Sequence, residues 1–376
     1  MQNTRKVMIL IALLAMAITI VPAVSAQDGA ESLCLVTDVG RVNDGTFNQF
    51  AHDGATSVSD DFELDYEFIE TTSEADYATN IQTCIDDGAD IVITVGFLIT
   101  DATTVAAEAN PDVFFIGVDQ FLAEGPTNFT GAVFAEDQAG FLAGALAALV
   151  ANENDEDVIA GIYGLQVVPA VAKFRNGYEQ GALYINPDWE VGINVLGTYA
   201  DSFVDLAQGA SLAEQFIGEG AAVIFGAGGQ TGSAGIATAA AAGVYVIGVD
   251  QDEYNTTFAG GETEGAEFII SSAMKRVDLA VYDLVALLAE GDTMAWDEFG
   301  GGIILFDAAV DGVGVAPAHD SDIDEALYEE VDHVLELLKE GCISTNVDPG
   351  GELMSDEDME MFEMAEGCED MMDMDD

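Results

Sequence analysis

Acidic side chains follow several apolar segments that have the composition of buried strands. Asp38 follows LCLVT, Asp119 follows FFIGV and Asp250 follows YVIGV. The last two acids belong to a repeated pentapeptide, IGVDQ, at 116–120 and 247–251. A duplicated half and coincidence in an Asp-rich chain would each explain the repeat. Carboxylates and amides in such positions have the hydrogen-bonding capacity to hold a polar small molecule.

A glycine-rich segment, FGAGGQTGSAG, follows another apolar run and leads into a helical pattern. Its position suits a phosphate-binding loop, but its spacing does not. GxxxxGK[ST] is absent, and the GxGxxG register that starts at Gly226 and Gly228 meets Thr231 where the third glycine belongs. We therefore interpret Gly226 and Gly228 as residues that let a ligand approach the backbone closely.

Motifs of common catalytic sites are sparse. The chain lacks GxSxG, HExxH and the protein kinase motifs, and its one SxxK match, Ser272 to Lys275, lacks the partner motifs SDN and KTG. A single carboxylate carries little information in a chain with 70 acidic residues. The sequence therefore does not favour an enzyme, and we expect no cofactor.

Basic residues are rare, and most of them lie near predicted strand ends or in one helix. Beyond the first ten residues these are Arg41, Lys173, Arg175, Lys275 and Arg276, while Lys339 lies in an ordinary amphipathic helix. The pattern indicates either specific placement at a site or local neutralisation of nearby carboxylates.

The elements that would position these residues alternate along the chain. Strands LCLVTDVG, LDYEFIETT, DIVITVGF and VFFIGVDQ alternate with helical stretches, and after a polar segment at 152–157 the pattern restarts with VIAGIYG, VGINVLGTYA, AAVIFGAGG and VYVIGVD. Two such series predict two doubly wound α/β lobes with parallel sheets. Ligands of these sheets bind beyond the carboxyl ends of the strands. Asp38, Gly96, Asp119, Gly226 and Asp250 occupy such positions.

Length and charge agree with this division and disfavour some partners. A chain of 376 residues exceeds what one core usually organises, so two domains are expected. The formal net charge is −62, with 70 acidic residues against 8 Lys and Arg. Like-charge repulsion disfavours nucleic acids and anionic membranes as partners. A saline habitat and an ordinary one both remain compatible with this charge.

The two ends of the chain differ from the rest. Residues 1–26 have the basic start, apolar run and AxA-like site of a removed export signal, without a Cys for lipid attachment at the cleavage point. Residues 346–376 are predicted to form an acidic, Met-rich tail, solvated and with one short helix held by Cys368. Thioether binding of a soft metal is the alternative for this tail.

Four cysteines in an exported chain permit two disulfides. We favour Cys34 with Cys84 and Cys342 with Cys368, because each pair then lies within one region, and unpaired thiols are the alternative. No metal site is expected, because the chain has no CxxC and its three histidines are scattered.

Five ordered segments resemble motifs of one protein family. LVTDVGRVNDGTFNQFAHDGA resembles the opening motif of the basic membrane protein family of extracytoplasmic solute receptors, of the purine nucleoside receptor type. AGFLAGALAA, AAVIFGAGGQTGSAG, VIGVDQD and SSAMKRVDLAVYDLV resemble its later motifs in the same order. The resemblance implies a type I periplasmic binding protein fold, in which two lobes are joined by three crossings and close on a ligand by a hinge. We expect crossings near residues 151–157 and 250–257.

The resemblance also implies roles for individual residues. Asp38, Asp119 and Asp250 are expected to hold sugar hydroxyls or a base edge, and Phe47 is expected to stack on the base. The second stacking aromatic is either Phe174 or Phe225. The full set of expected ligand-binding residues is Asp38, Asn43, Asp44, Phe47, Asn48, Gly96, Asp119, Phe174, Phe225, Gly226, Gly228, Asp250 and Lys275.

These observations predict an exported, monomeric substrate-binding protein of an ABC importer, located in the periplasm or at the cell surface. It would capture a nucleoside, in particular a purine nucleoside, and deliver it to a membrane permease. A nucleoside-processing enzyme and a sensor that presents its ligand are the alternatives. Residues 27–152 plus about 250–290 are predicted to form lobe 1, and residues 153–249 plus about 291–345 lobe 2.

Overall fold

The computed structural model contains two six-stranded sheets with helices on their faces. It describes residues 29–371 except 123, 293–295, 297, 299, 356, 358, 360, 361, 363, 366, 369 and 370. The predicted export signal therefore lies outside the described residues. Within the described part of the chain, no helix combines the length and apolarity needed to cross a bilayer.

Lobe 1 is built on a wholly parallel sheet with the order β11-β5-β4-β3-β1-β2. Its strands are β1 (Ser32–Val39), β2 (Asp65–Thr71), β3 (Ile91–Val95), β4 (Phe114–Val118), β5 (Phe129–Phe134) and β11 (Ile303–Phe306). Its helices are α1 (Phe47–Phe62), α2 (Tyr77–Asp86), α3 (Thr100–Ala109) and α8 (Val277–Ala289). The central strand β3 reads IVITV and is buried throughout, as expected of a strand covered on both faces.

Lobe 2 repeats this plan with the order β12-β10-β9-β8-β6-β7, in which only β12 is antiparallel to its neighbour. Its strands are β6 (Ile159–Tyr163), β7 (Val195–Tyr199), β8 (Val223–Ala227), β9 (Tyr245–Asp250), β10 (Ile269–Lys275) and β12 (Val313–Val315). Its helices are α4 (Glu136–Glu153), α5 (Pro169–Ile185), α6 (Leu206–Gly218), α7 (Gly229–Ala241) and α9 (Glu325–Lys339). The predicted fold of two doubly wound α/β lobes is confirmed.

The predicted lobe boundaries differ from the strand pairing in three places. Helix α4, expected in lobe 1, packs along α5 of lobe 2. Strand β10, also expected in lobe 1, pairs with β9 and keeps residues 250–275 in lobe 2. Strand β11, expected in lobe 2, pairs with β5 of lobe 1. The polar segment 152–157 resembled a linker, but it is only the end of α4 and the turn into β6.

The crossings expected near residues 151–157 and 250–257 are wrong, because both segments lie within lobe 2. The chain passes between the lobes at other positions. It crosses between β5 and α4 near Ala135, between β10 and α8 near Arg276, and between β11 and β12 at residues 307–312. The sequence pattern of α4 does not indicate on which lobe the helix packs. Apolar residues cover most of its circumference, and the helix is buried from Ala139 to Ala151.

Helices α4 and α5 approach each other through glycines on both sides. A Cβ at Gly144 would lie 2.0 Å from the carbonyl oxygen of Tyr178, and one at Gly181 would lie 1.9 Å from that of Phe141. Gly140 and Gly177 show the same relationship to the opposite backbone. This close contact fixes the helix that carries Lys173 and Phe174 against the first crossing.

Both predicted disulfides are confirmed. One joins Cys34 of β1 to Cys84 of α2, and the other joins Cys342 to Cys368. The segment predicted as a solvated tail begins with packed residues, since Asn176 of α5 donates to the carbonyl of Gly351 at 2.5 Å and Asn346 donates to Gln180 at 3.3 Å. Residues 346–351 therefore cover the outer side of α5.

The glycine contact between α4 and α5 predicts a large difference between two Gly→Ala substitutions. Gly144→Ala should lower the free energy of unfolding by about 2 kcal/mol, because the new methyl group must displace the backbone of α5. Gly218→Ala, at the end of α6 with open space around it, should leave stability unchanged or slightly higher. Chemical denaturation measures both, and equal stabilities would contradict the proposed packing constraint.

Candidate functional site

A cavity of about 730 Å³, part of it open to solvent, lies between the two lobes. It is bordered by the carboxyl ends of β1 and β3 in lobe 1 and of β6 and β8 in lobe 2. In both sheets the strand order reverses between these two strands, and ligands of doubly wound folds bind at such a switch point. The topology alone therefore places one binding position on each lobe, and the two positions face each other.

Most of the residues expected to bind a ligand line this cavity. They are Asp38, Asp44, Phe47, Asn48, Gly96, Asp119, Phe174, Gly228, Asp250 and Lys275. Asp38, Asp119 and Asp250 thus meet at one place although they are far apart in the sequence.

Three expected residues are not among the described residues that line the cavity. Phe225 is fully buried behind it and stacks on Tyr178 with a ring separation of 5.1 Å. Gly226 makes room for packing within lobe 2, since a Cβ there would lie 2.7 Å from Ile236 of α7. Asn43 lies in the same loop between the lining residues Gly40 and Asp44 but is not itself among them.

Several lining residues were missed by the sequence reasoning. Lobe 2 contributes Val168 and Val171 at the start of α5, Phe203 and Val204 in the loop after β7, and Gln230 at the start of α7. The rule that ligands bind beyond the carboxyl ends of strands would have found the segments that hold them, because each segment follows a predicted strand. Apolar residues in a loop, however, carry no local mark that separates ligand contact from packing.

Asp38 is held at the end of β1 by several contacts. Its carboxylate accepts hydrogen bonds from the backbone N–H of Val39 at 2.6 Å and from the hydroxyl of Tyr77. Gly96, with φ +100°, leaves the space that this carboxylate needs, since a Cβ there would lie 2.5 Å from Asp38 Oδ2. Burial raises the pKa of Asp38, and the two hydrogen bonds oppose this effect.

Asp44 organises the beginning of α1. Its Oδ1 accepts from the backbone N–H of Thr46 at 2.9 Å and of Gln49 at 3.1 Å, and its Oδ2 accepts from the Asn48 side chain at 3.0 Å. Asn48 in turn accepts from the backbone N–H of Asp38 at 3.1 Å. Asp44 and Asn48 therefore position Phe47 and Asp38 as well as lining the cavity.

A buried chain of ion pairs joins the lobes beneath the cavity. Lys275 Nζ lies 2.6 Å from Asp119 Oδ2 and 2.8 Å from Glu136 Oε1, and Lys173 Nζ lies 3.1 Å from Glu136 Oε2. Lys275 is 1% exposed and Glu136 2%. Although burial disfavours the charge of Lys275, Asp119 and Glu136 raise its pKa above its ordinary value. Glu136 was not expected from the sequence.

One carboxylate oxygen of Asp119 has no hydrogen-bond donor among the described residues. Its Oδ2 contacts Lys275, whereas Oδ1 is buried and has no hydrogen-bond partner among the described residues. Its backbone has φ +61°, a left-handed conformation that Asp adopts more readily than most residues. Burial raises the pKa of Asp119 to about 6, with Lys275 opposing the shift. A buried acceptor without a donor is destabilising, and a ligand hydroxyl would satisfy it.

Asp250 is the counterpart of Asp119 in lobe 2. It has φ +66°, ends β9 and is 7% exposed. Burial raises its pKa to about 8, with Lys275 opposing this shift and Asp119 and Asp44 adding to it. Burial therefore favours the protonated form of this carboxyl.

Aromatic rings from both lobes complete the lining. Phe47 comes from lobe 1 and also covers Lys275, whose Nζ lies 4.9 Å from the ring centroid. Phe174 and Phe203 come from lobe 2. Of the two residues considered for the second stacking aromatic, only Phe174 reaches the cavity, and Phe203 is a further candidate. Among the described residues no cluster of His, Cys, Asp or Glu has the arrangement of a metal site.

Comparison with known proteins identifies the family. A family model described as ABC transporter substrate-binding protein PnrA-like matches residues 32–346. The chain belongs to this family. Its members are solute-binding proteins of ABC transporters, so the resemblance seen in the five sequence motifs is confirmed.

Two relatives and one solved structure illustrate the similarity. The chain is 31% identical to the ABC transporter nucleoside-binding protein BmpA of Lactococcus lactis over 72% of its own length and 77% of the relative. It is 26% identical to the CD4+ T-cell-stimulating antigen of Listeria monocytogenes over 85% and 88%. An ABC transporter solute-binding protein from Aeropyrum pernix K1 superposes with a TM-score of 0.71 at 22% identity, covering 83% and 92% of the two chains, which shows the shared fold.

The raised pKa of Asp250 predicts that Asp250→Asn increases the stability of the folded protein in a pH-dependent way. Between about pH 4 and pH 8 the folded wild type binds a proton that the unfolded chain has released, so its stability falls as pH rises through this window. Asn does not ionise. The melting temperature of ligand-free Asp250→Asn should therefore exceed that of the wild type by roughly 5 °C at pH 9, and the difference should vanish near pH 4.

Asp65→Asn is the matched control, because Asp65 is an exposed acid at the start of β2. Like Asp250→Asn, this substitution removes one acidic side chain, but the carboxyl that it removes is exposed and not buried. If Asp65→Asn and Asp250→Asn shift the melting temperature equally at pH 9, burial of Asp250 is not the cause.

Proposed function

We propose that this protein captures a nucleoside, in particular a purine nucleoside, between its two lobes. The observation that carries the proposal is the convergence of Asp38, Asp119 and Asp250 with Phe47 and Phe174 on one cavity. Ribose hydroxyls and base N–H groups donate hydrogen bonds to carboxylates, and the base is a flat surface for stacking. The L. lactis relative is named a nucleoside-binding protein, which supports the same assignment.

The charges around the cavity favour a neutral cargo. Lys173 and Lys275 are paired with Glu136 and Asp119, so this chain of ion pairs is formally neutral. Asp38 and Asp44 add further carboxyl groups, and the carboxyl of Asp250 carries no positive charge in either protonation state. A nucleotide would bring its phosphate into this acidic cavity without an unpaired Lys or Arg among the described lining residues, so we expect nucleosides to bind and nucleotides to be rejected.

The proposed role ends with delivery of the intact nucleoside to an ABC permease. A cavity shared by two lobes that are joined by three crossings suits capture by closure and release by opening. In this proposal the protein acts outside the cytoplasm as a monomer and does not alter its cargo.

Free base should therefore not appear when the protein is incubated with inosine, with or without phosphate. Chromatographic detection of hypoxanthine would favour a nucleoside-processing enzyme.

Stacking on Phe47 predicts a specific loss of affinity. Phe47→Ala should weaken inosine binding about tenfold, because it removes an aromatic face from the cavity wall. Phe121→Ala is the matched control, since Phe121 is 59% exposed and is not among the described lining residues. Isothermal titration calorimetry compares the two variants with the wild type. Equal affinity of Phe47→Ala and wild type would exclude the stacking role.

A further inference from the structure

Two hydrogen bonds connect the lobes beside the cavity. The Gln251 side chain donates from Nε2 to the carbonyl of Thr46 at 3.2 Å, and the Thr256 hydroxyl donates to the carbonyl of Gly45 at 2.8 Å. Both donors lie in residues 251–258, here called the latch loop, which follows β9 of lobe 2. Both acceptors belong to the lobe 1 loop that leads into α1. Neither Gln251 nor Thr256 is among the described residues that line the cavity.

The latch loop is fixed to lobe 2. Glu253 accepts from the backbone N–H of Val249 at 3.0 Å, and its own N–H donates to Ser272 at 3.1 Å. The ring of Tyr254 stacks on His319 with a centroid distance of 4.0 Å, and Phe258 is fully buried in the lobe 2 core. Because these contacts are all within lobe 2, the loop should move with that lobe as one body.

The acceptors are fixed to lobe 1 in a comparable way. Asp44 holds the backbone N–H groups of Thr46 and Gln49, and Gly45 has φ +83°. The two carbonyls belong to the two residues before Phe47, with which α1 begins. A contact to them therefore acts on the segment that carries four residues of the cavity wall, Asp44, Thr46, Phe47 and Asn48.

The repeated motif IGVDQ shows that the contact of Gln251 is not a by-product of its local fold. Gln120, the equivalent glutamine in lobe 1, donates to Thr94 and Gly96 within its own lobe. Gln251 follows an aspartate of the same backbone conformation but reaches the opposite lobe. The same pentapeptide thus serves packing in one lobe and contact between the lobes in the other.

We propose that Gln251 and Thr256 form a latch that stabilises the arrangement of the two lobes seen here and increases affinity without touching the cargo. The inference rests on the proposed function for its effect on nucleoside affinity, but its effect on lobe arrangement is independent of any ligand. A receptor that binds only when its lobes are together gains affinity in proportion to the population of that state. Loss of one hydrogen bond of this kind should lower that affinity about fivefold.

Thr256→Val and Thr256→Ser form the test pair, because Ser retains the donor hydroxyl and Val does not. We expect Thr256→Val to weaken inosine binding about fivefold, mainly through faster release, and Thr256→Ser to match the wild type. Asn255→Ala controls for disturbance of the latch loop, since Asn255 is exposed and bonds locally to Asp252. It should also match the wild type. Surface plasmon resonance with immobilised protein measures both rate constants.

Small-angle X-ray scattering of the ligand-free variants separates this proposal from the proposed function. Thr256→Val should have a larger radius of gyration than Thr256→Ser, whatever the cargo. If the wild type binds no nucleoside, the proposed function fails, and the scattering comparison still decides the latch. Identical scattering of the two variants, together with identical or unmeasurable inosine affinity, would overturn it.

Discussion

The arrangement of the cavity depends on one buried ammonium group. Lys275 ends a lobe 2 strand next to the second crossing, and its Nζ contacts Asp119 from lobe 1 and Glu136 at the start of α4. Burying an unpaired charge costs several kcal/mol, so this position is favourable only while both carboxylates stay within contact distance. The lobes are therefore held in register at the base of the cavity by charge pairing, and the acidic rim above that base remains available to a ligand.

The same pairing divides the acidic groups of the cavity into two classes. Glu136 is fully committed to Lys173 and Lys275, and although burial opposes its charge the two lysines lower its pKa. Asp119 is committed through only one oxygen, and burial raises the pKa of Asp250 to about 8. The first class stabilises the crossing, while in the second Asp119 Oδ1 has no donor among the described residues and burial favours the protonated form of Asp250. A neutral ligand with several hydroxyl groups meets the requirements of the second class without disturbing the first.

Much of this site followed from sequence, because parallel strands bring their carboxyl ends to one edge of a sheet. That rule was sufficient for Asp38, Asp119 and Asp250. It failed for Gly226, which lies near the same strand end as Gly228 but packs against the interior of lobe 2. Phe225, which the family resemblance offered as a stacking residue, also faces that interior. This rule could not predict the crossings or the role of Glu136. They depend on which sheet β10 and β11 pair with, and on the packing of an apolar helix through glycines. Sequence periodicity specifies elements and their ends, whereas long-range pairing specifies their partners.

The most direct test of the account is a crystal structure of the protein with inosine. We expect one nucleoside in the cavity, with ribose or base donors about 3 Å from Asp119 Oδ1 and from the carboxyl of Asp250, and with the base against Phe47. Density for inosine outside this cavity, or inside it with Asp119 Oδ1 still without a donor, would contradict the central claim.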